Sequence, residues 1–191
     1  MRGWKKIAAL TFLFIGMASL SLAEDYSLQY FMTKSLTKGG ELTKKEKAEL
    51  LNRLDEVMDK AREVQVKLSQ ALQTGDTEAN YQEGKFWMSK LEEDKASIET
   101  GTQDLKALKG KPAYLTGAIR LYKALRDLSI HLNSYNNMPS FSASVGDLAP
   151  EMELWTDAFY KLYLLPLARL KDTGTQSGPI EKKSVPKGGK P

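Results

Sequence analysis

The chain has one histidine, His131, and Asp127 stands four residues before it, one turn away if the stretch is helical. A carboxylate that fixes the tautomer of an imidazole is the arrangement that orients a catalytic or metal-binding histidine. Asp127 and His131 are therefore the candidate pair for a cofactor-binding site, although an isolated pair of this kind is more often a plain surface contact. Without a second histidine, a di-iron site built from paired Glu-x-x-His helices is excluded. A haem held between His131 and a methionine would draw on Met32, Met58, Met88, Met138 or Met152. Met58 and Met88 fall at apolar seam positions that packing explains, and neither a cofactor nor a metal is expected.

Ser35-Leu36-Thr37-Lys38 has the S-x-x-K spacing of penicillin-recognising serine enzymes, but it ends at Gly39-Gly40 and its companion motifs are missing. There is no G-x-S-x-G, HExxH, P-loop or glycine-rich dinucleotide turn. The carboxylates fall in charge-paired positions, so no acid pair stands out for glycoside chemistry. The chain has no cysteine, which excludes a thiol nucleophile, a CxxCH haem and cysteine zinc sites. A non-catalytic protein is expected.

The elements that would position these residues are helical. Thr43 and Glu46 form an S/T-x-x-E capping box. Behind it Leu50, Leu54, Val57, Ala61, Val64, Leu68 and Ala71 recur alternately four and three residues apart, a heptad seam widened by Leu51, Met58 and Leu72. Glu49 and Arg53, Glu56 and Lys60, and Glu63 and Lys67 are acid-first i,i+4 pairs on the solvated side. Gly75 ends this helix, and Asp76 caps a second over about 77–108, with Tyr81, Trp87, Met88, Leu91, Ile98, Leu105 and Leu108 inward and Lys95 and Thr102 interrupting. Gly110 and Pro112 mark a stop and a start, after which Leu115, Ala118, Ile119, Tyr122, Leu125, Leu128 and Leu132 carry a third helix to about Tyr135.

Residues 136–150 are rich in turn formers, and Met138, Phe141, Val145 and Leu148 are spaced as anchors for a strap across the fold. The last helix, about 151–170, sets Met152, Trp155, Phe159 and Leu162 on one face, while Ala158 to Ala168 is apolar nearly all round. Such a helix is either central in its fold or buried against a partner. Trp155, Phe159, Tyr160, Tyr163, Leu164 and Leu167 are accordingly the interface candidates. Pro166 should kink or break the helix near Leu162 to Leu165.

The N-terminus reads MRGWKK, then a sixteen-residue apolar run from Ile7 to Leu22 whose end overlaps the small-residue site Ser21-Leu22-Ala23, ahead of Glu24-Asp25. These are the three regions of a secretory signal peptide, and the run is shorter than the roughly 20 residues of a spanning helix. Cleavage between Ala23 and Glu24 is expected, leaving a periplasmic or secreted protein. Residues 1–23 hold Arg2, Lys5 and Lys6 and no acid, so the formal charge of +4 falls to +1 on cleavage. From Lys171 onward five lysines stand against Asp172 and Glu181, so residues 24–170 carry a net −2 with no basic face, and nucleic acid is not an expected partner.

The sequence therefore predicts a signal peptide over 1–23 and an all-α domain over 24–171. That domain is an antiparallel up-and-down four-helix bundle with a short extra N-terminal helix over about Tyr26 to Leu36. Residues 172–191 form a disordered tail, limited to weak contact with anionic surfaces through Lys182, Lys183, Lys187 and Lys190. The expected function is contact with an envelope or secreted protein, or with itself, as an adaptor, chaperone-like or assembly factor. The alternative is a carrier of a small ligand or cofactor in the bundle interior.

Overall fold

A computed structural model describes residues 26–37, 41–77 and 79–175, with side chains described as far as residue 170. The expected signal peptide over 1–23 lies outside the described residues, as do Lys38 and the part of the expected 172–191 tail beyond Thr175. The described residues are helical, with no strand among them. The helices are α1 (Leu28–Leu36), α2 (Lys44–Thr74), α3 (Tyr81–Gly110), α4 (Leu115–Tyr135), α5 (Pro139–Val145) and α6 (Leu148–Phe159). α6 runs on through a π-helical turn, Tyr160–Leu164, into α7, Leu165–Thr175. No described helix is long and apolar enough to cross a membrane.

Local chemistry sets most of the boundaries. The Thr43 hydroxyl accepts from the Glu46 amide, while the Glu46 carboxylate accepts from the Thr43 amide at 2.6 Å, closing both halves of the box that starts α2. Gly75 ends α2 in the left-handed region at φ 77°. α3 starts at Tyr81, later than expected, because the second capping box is Asn80 with Glu83. Residues 136–150 are not a loop. Pro139 opens α5, and the expected anchors Phe141, Val145 and Leu148 are buried.

Pro166 acts where the sequence places it, but it widens the helix without breaking it. A proline lacks an N–H, and its ring collides with the carbonyl four residues earlier. The preceding turn is π-helical, with the Leu165 amide donating to the Tyr160 carbonyl five residues back.

α2 packs on α3, α3 on α4, α4 on α6 and α6 on α2, while α1 lies on α6 and on the π turn. α2 and α3 run antiparallel, as Gln65 meets Leu91 and Asp55 meets Lys109. The inner seam of α2 is buried from Leu50 to Leu68. Two expected inner residues face outward: Tyr81 is 77% exposed, and Ile119 is also exposed. Lys60, paired in the sequence with Glu56, instead reaches Glu151 on α6 at 2.9 Å. Gly101 faces α2 and α4 at close quarters, since a Cβ there would lie 2.5 Å from Met58 Cε and 3.4 Å from Ala124 Cβ.

Candidate functional site

His131 has a different carboxylate from the one its own helix suggests. Asp127 pairs with Lys123 at 2.5 Å, while His131 Nδ1 lies 2.5 Å from Asp94 Oδ1 across the α3–α4 contact. One turn further along α4, the Tyr135 hydroxyl donates to Asp94 Oδ2 at 2.5 Å. The Asp94 side chain is 3% exposed and His131 18%. The bond to Asp94 raises the His131 pKa above its ordinary value, against the desolvation that lowers it. Burial first, and then the Asp94 charge, push the Tyr135 hydroxyl far above its usual range, so it stays a donor.

Two more buried carboxylates are held in the same way. Asp104 on α3 receives Arg120 of α4 through two bonds, Nε to Oδ2 at 3.0 Å and Nη2 to Oδ1 at 2.5 Å. Glu46 on α2 takes Tyr30 and Lys34 from α1 as well as its own cap amide. Burial alone would raise the Glu46 pKa, but the bonds from Lys34, Tyr30 and Thr43 hold it down at about 2. Each of the three carboxylates joins a different helix or helix level to its neighbour. Among the described residues, no group of three or more His, Asp and Glu is placed to hold a metal ion. Ser35 of the S-x-x-K stretch gives its hydroxyl to the Met32 carbonyl.

The interface candidates on the last helix are mostly turned inward, which corrects the expectation that they face a partner. Trp155, Phe159, Tyr163 and Leu164 are buried, and Leu167 is half-buried against the core. The Phe31 ring of α1 lies 5.9 Å from that of Trp155. The Tyr163 hydroxyl donates to the Pro112 carbonyl in the α3–α4 turn, and burial pushes its pKa up to about 12. Tyr160 is 39% exposed and leans on Tyr122, with ring centroids 5.2 Å apart. The apolar surplus is largely absorbed because this helix is central in its own fold.

The exposed aromatic surface lies elsewhere. At the start of α3, Gln82, Glu83, Phe86 and Trp87 face Asn137, Met138 and Pro139 across an open groove of about 600 Å³. Phe86 is 55% exposed and sits edge-on to Trp87, with centroids 5.0 Å apart. Trp87 in turn packs on Tyr135 and Phe141, so the groove floor adjoins the donor that holds Asp94. Glu83 is the one charged residue among those lining the groove. The spacing in the sequence marks Trp87 as a core residue and Met138 as an anchor, and it does not single out Phe86. No protein-family model, curated protein or solved structure matches the chain.

Proposed function

We propose that this is an exported, non-catalytic protein whose helices form an antiparallel up-and-down four-helix bundle with a short extra N-terminal helix. It acts through protein contact, as an adaptor, chaperone-like or assembly factor. The observation that supports the reading is the aromatic groove of Phe86, Trp87, Met138 and Pro139, since exposed aromatics and Met are enriched at protein interfaces. It replaces the surface first suggested by Trp155, Phe159 and Tyr163. The alternative, a carrier using the bundle interior, draws no support from a centre filled by Leu50, Leu54, Leu105, Tyr135 and Phe159.

A photo-reactive phenylalanine analogue in place of Gln82, irradiated in the native host, tests this reading. A discrete protein adduct is expected from position 82 and none from the exposed Lys106 position. Equal or absent adducts from both positions would count against it. The mass of the native N-terminus, expected to begin at Glu24, tests export in the same sample.

A further inference from the structure

We propose that the groove receives the Lys- and Pro-containing segment 178–187 of a second copy of this chain. The proposal rests on the contact reading above and names the occupant of that surface. The groove offers two aromatic rings, a methionine and a proline, with Glu83 as its one charge. It is therefore suited to a ligand that is apolar, extended and cationic. Residues 178–187 read Gly-Pro-Ile-Glu-Lys-Lys-Ser-Val-Pro-Lys, in which Pro179-Ile180 and Val185-Pro186 alternate with Lys182, Lys183 and Lys187. Proline fixes φ near the polyproline value and presents a flat ring to an aromatic face at little entropic cost.

Geometry assigns the occupant to another copy. The groove lies at the end of the molecule where α3 starts and α4 finishes. The last helix leaves that end, since Tyr163 already meets Pro112 at the α3–α4 turn. The 28 residues of α6, the π turn and α7 carry the chain about 40 Å further. Pro186 follows Thr175 by eleven residues, which span about 40 Å only when fully stretched. A tail folding back along its own bundle would have no slack left to seat, whereas a tail from a neighbouring copy has no such limit.

The test mixes isotope-labelled and unlabelled full-length protein, both carrying the photo-reactive analogue in place of Gln82. Adducts are expected between position 82 of one isotope and residues 178–187 of the other. Phe86→Ser or Val185→Asp should reduce them more than about tenfold. Glu83→Gln, which keeps the cap acceptor and removes only the charge, should reduce them about two- to fivefold at low salt. Adducts confined to one isotope would mean the tail reaches its own groove, and would overturn the proposal. Absence of tail adducts would also overturn it, and if position 82 still captures a different protein in the host, the contact reading stands. If position 82 is silent in both experiments, both fail.

Discussion

Asp94 takes two donors from one face of α4, and almost no water reaches it. A buried carboxylate with one donor removed keeps its desolvation penalty, so Tyr135→Phe should cost about 1–3 kcal/mol in urea unfolding, although it deletes a single oxygen. A cost below about 0.5 kcal/mol would mean that solvent replaces the hydroxyl. The pairing also sets a pH dependence. His131 is held above its ordinary pKa of 6.5 by Asp94, so folding favours the imidazolium. That contribution is complete below about pH 6.5 and disappears as pH rises through the higher folded-state value. The stability advantage of the native protein over His131→Gln should shrink as the pH rises above the ordinary imidazole value of 6.5, and an advantage that is constant or grows would refute the linkage. The sequence showed the histidine but not its partner. Asp127 is near in the chain, whereas Asp94 becomes near only once α3 and α4 pair.

At the scale of the element, the heptad spacing held more than the residue types suggested. Leu91, Asp94, Ile98, Gly101, Leu105 and Leu108 recur alternately three and four residues apart, and all six are buried. Searching for apolar side chains alone passes over Asp94 and Gly101 and leaves Lys95 and Thr102 as apparent interruptions. Capping boxes, the αL glycine and the place where Pro166 acts were all legible because each is decided within about one turn. The direction in which the last helix faces was not, because an all-round apolar helix suits either a centre or an interface. Two glycines of α3 should behave oppositely. Gly84 has open space beside it, so Gly84→Ala should gain about 0.5–1 kcal/mol, whereas Gly101→Val should lose about 1–3 kcal/mol against Met58 and Ala124. Equal shifts in their urea midpoints would contradict the close approach.

The π turn yields a further test. It holds one residue more than an α-helix needs, so deleting the exposed Lys161 preserves the facing of α6 and α7. It also returns the Pro166 ring to the carbonyl four residues earlier, at about 3 kcal/mol. Adding Pro166→Ala should recover most of that loss in thermal midpoint. A deletion tolerated without it would show that Pro166 does not require the wide turn.

At the scale of the whole molecule, Glu46, Asp94 and Asp104 tie α1 to α2 and fix two levels of α3 against α4. Replacing both partners of a buried pair with apolar residues is often neutral or stabilising, while removing one is costly. Arg120→Met leaves the buried Asp104 carboxylate without its cation and should therefore lower the urea midpoint, and adding Asp104→Leu should restore it. The restored variant should nonetheless show exchange-broadened amide signals along α3 and α4. A spectrum as sharp as that of the native protein would deny the pair any part in alignment. An apolar seam is a ruler whose graduations all look alike, so two such helices can slide by seven residues and find another fit. A buried charge numbers one graduation, since sliding past it strands an ion in oil. In a chain with no cysteine to staple it, these three carboxylates are where the order of assembly becomes readable to the chain itself.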